Sequence, residues 1–471
     1  MRSLDKSVNM ITLPSPWLID DKDLPNLGVL GIASYLQQNN IETTVSDLCG
    51  LTEDKWDDNL KYADIYGISL TTPQAHLAEK VAQRIRERQP NALIVMGGYH
   101  ASAMPEHTLN LGADYVVKGD GEVEMLKITR GQLNGLKRGI IDAPMIPEAE
   151  MQKLPWPARE LIDIDQYHRV GTNANVWGDS RDEIKEGHLI TSRGCPFKCG
   201  FCAQMTLSNF RVRYREDSDV FNEMRHLGEK YNCNRFYMFD DIFIVSEKQV
   251  NRLCNKFDEL QKEFSFDWHC LGRVDVPPTF NRKLNLYKRM YDAGCKQITY
   301  GIEHADDRIL RRIEKETTYE ENMEAIIAAK TVGMRVRAQM IVGLPGETDD
   351  SIETMARFIR ESPVDSVGVH VFVPLPGSPI WDYSDESGYS KKFDFRFRKV
   401  KTFEWYQTIG RPGEWASHYL HINPLPEQIQ SWAEYIRGVA GEKNAYRFDP
   451  RWKEKSKTAQ ALYVQDVPGS C

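Results

Sequence analysis

Hydrophobic and polar positions alternate in two recurring patterns over the first 130 residues. Five short apolar runs end at Gly, Pro or Asp, as β-strands do: VNMITLP, IETTVSDL, ADIYGISL, ALIVMGG and ADYVVKG. Between them, LGVLGIASYLQQNN and AHLAEKVAQRIRERQP carry apolar residues at spacings of three and four, which predicts amphipathic helices. Because strands that alternate with helices form parallel sheets, residues 1–130 are predicted to fold as a doubly wound, Rossmann-like α/β domain.

A second α/β region follows a break in the pattern. Residues 131–186 are rich in proline and scattered acids and predict a linker. From residue 187, six strand-like segments alternate with helical ones: HLITSRG, RFYMFDD, DWHCLGRVD, QITYGIE, RVRAQMIVGLPG and DSVGVHVFVP. Six units are too few for a closed eight-stranded barrel, so residues 187–383 are predicted to form a partial (β/α)6 barrel with its site at the carboxyl ends of the strands. Residues 384–471 are predicted to form a mainly helical C-terminal cap.

Composition excludes several classes of protein. The 471 residues contain 60 Lys and Arg against 68 Asp and Glu, a formal charge of −8, so no nucleic-acid partner is expected. No apolar run approaches the roughly 18 residues that span a bilayer, and the start lacks the apolar core of a signal peptide. We therefore expect a cytoplasmic protein without a membrane partner.

Three of the nine cysteines lie close together, in the segment SRGCPFKCGFCAQ. Cys195, Cys199 and Cys202 follow the first predicted barrel strand with C-x3-C-x2-C spacing. Three thiolates can bind three irons of a four-iron cluster and leave the fourth iron open. The alternative is a zinc site, which normally needs four protein ligands, so that His188 or Cys233 would have to supply the fourth.

The cysteine spacing, its position after the first barrel strand and the aromatic Phe201 resemble the radical S-adenosylmethionine (SAM) superfamily. The resemblance continues in chain order through residue 382 and implies a 4Fe-4S cluster on the three cysteines and SAM at the strand ends. The implied SAM-binding residues are Asp240 and Asp241 for the amino group, Arg273 for the carboxylate or a cluster sulfide, Glu303 for the ribose, and Gly343 and Gly346 for the adenine. The segment FDD stands where the superfamily more often has Gly-Gly-Glu, so which aspartate serves stays open.

The first domain lacks a G-x-G-x-x-G segment after its first strand, which argues against a dinucleotide site. Its strand-end segments GISLTT, GGYHAS and KGDGE resemble the cobalamin-binding domain that often precedes a radical SAM barrel. The resemblance implies that glycines lie against the corrin while hydroxyls bond to its amides or nucleotide tail. The implied cobalamin-binding residues are Ser69, Thr71, Gly97, Gly98, Tyr99, His100, Gly119, Gly121 and Glu122.

The segment D-x-H-x-x-G, which supplies the cobalt-ligating histidine of cobalamin mutases, is absent, and no histidine precedes His76. The lower axial ligand of cobalt is therefore open. His100 is either that ligand or a histidine held in a strand-end turn.

The two resemblances together imply a cobalamin-dependent radical SAM enzyme. Its 5′-deoxyadenosyl radical would remove hydrogen from an unactivated carbon of a small metabolite or natural-product intermediate, followed by C-methylation. An external electron donor such as flavodoxin or ferredoxin is implied as well. Two alternatives remain: a cyclisation, ring contraction or oxidation in which cobalamin donates no methyl, and a non-catalytic cobalamin or iron-sulfur sensor. No residue that acts on the substrate is assigned.

Overall fold

The computed structural model describes residues 6–18, 20–133, 135–168, 184–399 and 421–443. The predicted cap is therefore described over 384–399 and 421–443 only. Within the described ranges, no helix is long and apolar enough to cross a membrane. Cytoplasmic localisation stays a prediction.

The first domain is built on a parallel six-stranded sheet with the strand order β2-β1-β3-β4-β5-β6. Its strands are β1 (Val8–Thr12), β2 (Thr43–Asp47), β3 (Ile65–Ser69), β4 (Leu93–Gly97), β5 (Tyr115–Lys118) and β6 (Gly139–Asp142). Its helices are α1 (Leu27–Gln38), α2 (Trp56–Asn59), α3 (Ala75–Arg88), α4 (Tyr99–Ala103), α5 (Pro105–Asn110) and α6 (Glu122–Thr129). This order confirms the doubly wound fold and places a topological switch between β1 and β3.

Alternation along β1 explains why the sheet is covered on both faces. All five of its residues are buried. Met10 packs in one hydrophobic cluster with Val29 of α1, whereas Ile11 packs in another with Val81 of α3. Successive side chains of a strand point to opposite faces, so each face of the sheet gains its own helical layer.

The segment predicted as a linker adds structure to both domains. Its residues 139–142 form the edge strand β6, which pairs with β5, and helix α7 (Glu148–Met151) follows. Farther on, Arg159 is buried and forms an ion pair with Glu223 of the second domain at 2.7 Å. The apolar run that forms β6 is too short, and the surrounding segment too rich in proline, for a strand to be predicted there.

The second domain is a parallel six-stranded sheet with the order β14-β13-β12-β11-β10-β7, which confirms the open (β/α)6 prediction. Its strands are β7 (Glu186–Leu189), β10 (Arg235–Met238), β11 (Asp267–Gly272), β12 (Cys295–Glu303), β13 (Arg335–Val342) and β14 (Ser366–Val371); a small ribbon after β7 pairs β8 (Ser192–Arg193) with β9 (Arg213–Tyr214). Its helices are α8 (Met205–Ser208), α9 (Asp217–Tyr231), α10 (Glu247–Leu260), α11 (Phe280–Asp292), α12 (Asp307–Arg312), α13 (Tyr319–Thr331), α14 (Asp349–Glu361) and α15 (Pro379–Asp382).

The C-terminal segment closes the exposed edge of this sheet. A short antiparallel sheet of β15 (Tyr389–Ser390), β16 (Phe395–Phe397) and β17 (His421–Asn423) precedes the long helix α16 (Pro426–Lys443). Ile429 and Ile436 of α16 are fully buried in the core of the second domain. The predicted helix is confirmed, and the three short strands are an addition to the prediction. Covering β14 protects backbone groups that an edge strand would otherwise expose.

Candidate functional site

The cysteine loop lies at the carboxyl end of β7 and is fixed by backbone contacts. Gly200 donates its N–H to the carbonyl of Ile313 at 2.7 Å and accepts from the N–H of Ile380 at 2.9 Å. Gly194 has a φ of +104°, and a Cβ there would lie 2.0 Å from the carbonyl oxygen of Arg211. Only glycine fits this turn. The loop therefore enters the site with a defined backbone path.

The three thiols of this loop act on one another electrostatically. Burial, together with the neighbouring Cys199 and Cys195, raises the pKa of Cys202 to about 12. The pKa of Cys195 is raised too, by burial and then by Cys199. Thiolates, not thiols, bind iron, so the free loop holds protons that a metal cluster would displace.

A cation lies against the loop. Arg273, at the end of β11, donates from Nη1 to Cys199 Sγ at 3.5 Å, and its guanidinium stacks 3.9 Å from the centroid of the Phe197 ring. It is 3% exposed, and its second amino group donates to the carbonyl of Lys315. The position next to a cysteine sulfur agrees with the implied contact to the cluster.

The geometry fits a cluster better than a single zinc ion. In the described part of the chain, no three His, Cys, Asp or Glu side chains converge as the ligands of one metal ion would. In a four-iron cluster each cysteine binds a different iron, so such convergence is not needed. His188 lies 3.4 Å from Glu186 within β7, and Cys233 lies 3.7 Å from His168 at the amino end of β10. Neither residue is placed to complete a zinc site at the loop.

The two aspartates after β10 have different environments. Asp240 is 1% exposed, and its Oδ1 accepts from the hydroxyls of Thr191 and Ser192 at 3.0 and 2.7 Å and from both backbone amides. Its Oδ2 has no hydrogen-bond partner, and burial raises its pKa to about 7. Asp240 thus anchors the backbone that leads into the cysteine loop.

Asp241 reaches solvent between the domains. Its Oδ2 accepts from the N–H of Gly194 at 2.8 Å, and its Oδ1 lies 3.4 Å from the hydroxyl of Tyr99 in the first domain. Both side chains are exposed, although surrounding protein raises the pKa of each. Of the two aspartates, Asp241 is the one with room for a ligand.

Glu303, the last residue of β12, is positioned by a lysine. Its Oε1 accepts from Lys315 Nζ at 3.1 Å, and both side chains are buried. Its φ of +63° lies in the left-handed region that non-glycine residues rarely adopt. Such conformations concentrate at functional sites. Lys315 was not predicted from the sequence, because a lysine in the charged run RRIEKE reads as solvent-exposed.

Protein atoms lie against the two glycines after β13. Gly343 donates its N–H to Glu347 at 2.8 Å, and its carbonyl accepts from His421 Nε2 at 3.0 Å. A Cβ at Gly346 would lie 2.7 Å from the guanidinium of Arg312. Both glycines have positive φ angles, +94° at Gly343 and +84° at Gly346, so the turn itself favours glycine at these positions, whatever they contact in a ligand. The buried Glu347, whose pKa burial raises to about 8, was not predicted.

The predicted cobalamin-binding residues line the carboxyl edge of the first sheet. Gly98 has a φ of +94°, and a Cβ there would lie 2.8 Å from Ser69 Oγ, so the turns after β3 and β4 touch. Gly97 ends β4. Thr71 is exposed and donates to the side chain of Gln74 at 2.9 Å. Gly119 donates its N–H to Ser102 Oγ at 3.1 Å.

His100 is enclosed by its own domain. It is fully buried, its Nδ1 lies 3.1 Å from Thr72 Oγ1 and its Nε2 lies 3.0 Å from His107 Nδ1. Burial lowers its pKa to about 3. Since both ring nitrogens face protein groups, the structure favours a histidine held in a turn over a metal ligand.

Contacts between this edge and the second domain include two side-chain pairs beside the cysteine loop. The first is Tyr99 with Asp241. In the second, the buried Glu122 accepts from Arg193, two residues before Cys195, at 2.7 Å. Gly121 precedes Glu122 at the start of α6. The carboxyl ends of the two sheets therefore face each other.

Comparison with known families agrees with this arrangement. Residues 21–128 match the B12 binding domain, and residues 189–359 match the radical SAM superfamily. The chain belongs to the cobalamin-dependent radical SAM enzymes. The domains match those that bind the predicted cofactors, namely cobalamin, SAM and a 4Fe-4S cluster, and membership confirms that the chain is an enzyme rather than a sensor.

Relatives of this cobalamin-dependent radical SAM enzyme have more than one reaction in their names. An uncharacterised methyltransferase of Pyrococcus horikoshii is 29% identical over 76% of this chain and 78% of its own length. An anaerobic magnesium-protoporphyrin IX monomethyl ester cyclase of Rubrivivax gelatinosus is 25% identical over 76% of this chain and 66% of its own length.

A solved structure shares the fold over nearly the whole chain. It is the radical SAM methyltransferase TsrM from Kitasatospora setae, with cobalamin and a 4Fe-4S cluster bound. The TM-score is 0.68 at 14% identity, covering 93% of this chain and 90% of that one. At this identity the likeness establishes the fold alone.

Proposed function

We propose that this enzyme methylates an unactivated carbon of a small metabolite or natural-product intermediate. The observation that carries the proposal is the meeting of the two carboxyl edges, where Tyr99 and Asp241 reach the same solvent-accessible space from different domains. A substrate held there would have one cofactor on each side.

When bound, the cluster and SAM supply a 5′-deoxyadenosyl radical and cobalamin supplies a methyl group. The chain binds the cluster through Cys195, Cys199 and Cys202, and Arg273 offsets the negative charge of the cysteine sulfurs. The exposed carboxylate of Asp241 accepts from the amino group of SAM. Asp240 positions the loop through Thr191 and Ser192.

Glu303 accepts from the ribose hydroxyls of SAM through the oxygen that Lys315 leaves unoccupied. Gly343 and Gly346 present backbone to the adenine from the turn after β13. Lys315 holds Glu303 in its left-handed conformation at the mouth of the barrel.

Gly97, Gly98, Gly119 and Gly121 would hold the corrin on the carboxyl edge of the first sheet. Ser69 and Thr71 would bond to its amides or nucleotide tail, with Tyr99 on the side of the barrel. His100 shapes the turn from behind through Thr72 and His107. The carboxylate of Glu122 is paired with Arg193, so Glu122 contributes to this edge by holding Arg193 rather than by contacting the corrin.

The deciding experiment is an anaerobic incubation of the reconstituted enzyme with methyl-labelled SAM, a chemical reductant, a thiol and a metabolite extract. We expect 5′-deoxyadenosine and S-adenosylhomocysteine in about equal amounts, with the label on one consumed compound. The second candidate, cyclisation or oxidation, is favoured by the cyclase relative. It would give 5′-deoxyadenosine and an unlabelled product without S-adenosylhomocysteine, and that result would overturn the methyltransferase proposal.

A further inference from the structure

The ribbon that leads into the cysteine loop carries two arginines side by side. Arg193 on β8 and Arg213 on β9 are direct antiparallel partners. Like charges directly opposite each other on paired strands repel. Neutralising groups are therefore needed, and they come from the other domain.

Two acidic residues of the KGDGE segment supply this neutralisation. Glu122 accepts from Arg193 Nη2 at 2.7 Å, while Asp120 accepts from Arg213 Nη1 at 2.5 Å and lies 3.6 Å from Arg193. The carboxylates and Arg213 are largely buried, with Glu122 5%, Arg213 8% and Asp120 13% exposed, whereas Arg193 is 31% exposed. We call these four residues, Asp120, Glu122, Arg193 and Arg213, the interdomain clamp.

Residues of the linker also contact the β8–β9 ribbon. Asp120 also accepts from the N–H of Ile146 at 2.8 Å, and Arg213 donates to the carbonyl of Ile146 at 2.8 Å. Glu148 accepts from the N–H of Tyr214 at 2.9 Å. The clamp is therefore a network rather than one isolated surface pair.

The position of the clamp in the chain links it to both proposed cofactor sites. Arg193 is two residues from Cys195, and Asp120 and Glu122 flank Gly121 in a turn assigned to the corrin. We propose that the interdomain clamp positions the cysteine loop, and with it the cluster, relative to the corrin. The four residues are positioning residues, and their role rests on the proposed function in that a corrin must occupy the first domain.

The clamp is better suited to position the cysteine loop than to stabilise the fold. Desolvation offsets much of the Coulomb attraction of a buried ion pair, so its net contribution to stability is small. Its geometry is nevertheless specific, because a misplaced partner leaves a charge buried and unpaired. Removing one partner strongly destabilises the docked contact, because the other charge is left buried and unpaired. The ribbon relieves this cost by separating from the first domain, so we expect the loop to be released while each domain keeps its own core.

The test uses the full chain with R193Q, E122Q and the double variant. Arg225→Gln is the matched control, since Arg225 pairs with Glu263 on the surface of the second domain, away from the interface. Hydrogen exchange of the apoprotein reports protection of amides 194–202. In the reconstituted protein, electron paramagnetic resonance measures how much the reduced cluster accelerates spin relaxation of cob(II)alamin. Iron content and hydroxocobalamin binding are recorded in parallel.

We expect loop amides to exchange at least about tenfold faster in R193Q and E122Q, with no further gain in the double variant. The relaxation effect on cobalt should fall, while iron content in both variants and corrinoid content in R193Q stay within twofold of wild type. R193K, which keeps the charge, should recover part of the loop protection and part of the relaxation effect. R225Q should change neither quantity. Unchanged loop exchange, or additive effects in the double variant, would overturn the proposal.

If the wild-type protein fails to bind hydroxocobalamin, the proposed function is wrong, and the apoprotein exchange still shows whether the clamp fixes the loop. A normal relaxation effect in both Gln variants would show that the clamp does not set the distance between the cofactors. Should E122Q not fold, R193Q and R193K carry the comparison.

Discussion

At the scale of single residues, the site is held by side chains whose roles differ from what their types suggest. Asp240 and Asp241 are adjacent, yet one anchors the loop from a buried position and the other faces the space between domains. Both residues follow the end of β10 at Met238, and the chain bends at Asp241, so their side chains enter different surroundings.

Replacing Cys195, Cys199 and Cys202 with Ala should remove the iron-dependent absorbance of anaerobically reconstituted protein and abolish SAM cleavage. The reason is that three thiolates are the minimum set for the cluster. Cys233→Ala and Cys254→Ala are controls, because both thiols are buried away from the loop. Iron and sulfide analysis provides the measurement, and tight zinc without sulfide in the wild-type protein would contradict the prediction.

The buried Asp240 predicts a pH-dependent stability. Its pKa of about 7 in the folded apoprotein exceeds the ordinary value of 3.8, so between these values the unfolded chain releases a proton that the folded chain keeps. Stability contributed by this group is present at low pH and decreases as pH rises from about 4 to 7. The thermal midpoint of D240N minus that of wild type should therefore increase as pH rises from 5 to 7. A constant difference between the two midpoints would show that Asp240 does not titrate there.

At the scale of elements, short segments outside the two main sheets complete the fold. Helix α16 packs on α14 and β14, and Trp432 donates from its indole to Asp349 at 2.7 Å. The preceding β17 brings His421 onto Gly343. The last described segment of the chain thus supports the turn that is assigned to adenine.

Ile436→Ala should destabilise the second domain by about 2–5 kcal/mol, since it removes a fully buried side chain and leaves a cavity. Denaturant unfolding of the apoprotein, followed by tryptophan fluorescence, measures the change. The exposed neighbour Glu434→Ala serves as the control and should shift stability by less than about 0.5 kcal/mol. Equal effects of the two substitutions would mean that α16 does not pack as described.

At the scale of the whole molecule, two α/β domains present their carboxyl edges to each other. Ligands of open α/β sheets and of barrels bind at these edges, so facing edges create one shared space. Among the described residues, ion pairs of the linker and of the interdomain clamp connect the two domains.

The chain should bind hydroxocobalamin, and its cob(II)alamin form should show no nitrogen superhyperfine splitting from the nucleotide base. Ser69 and Thr71, which we propose bond to the nucleotide tail, would hold its base away from cobalt. The missing D-x-H-x-x-G segment and the enclosed ring of His100 provide no histidine to take its place. Electron paramagnetic resonance of the bound corrinoid is the measurement. Splitting from the dimethylbenzimidazole nitrogen would show that the tail stays on cobalt.

The sequence by itself determined both sheets and the cysteine loop, because these depend on periodicity and on spacing within a few residues. We did not predict β6, whose four residues are too short for a periodic signal, or β16, although Phe alternates with charged residues in FDFRFR as in a half-buried strand.

Only the tertiary structure decided which carboxylates face the solvent-accessible space between the domains and which form ion pairs or hydrogen bonds within the chain. Glu122 meets Arg193 from 71 residues away, and Tyr99 meets Asp241 from 142 residues away. Local patterns determine the direction of a strand and its buried face. They cannot specify side chains that meet only when the two sheets dock. Such a contact depends on the distance between the sheets, and no local segment of the sequence encodes that distance.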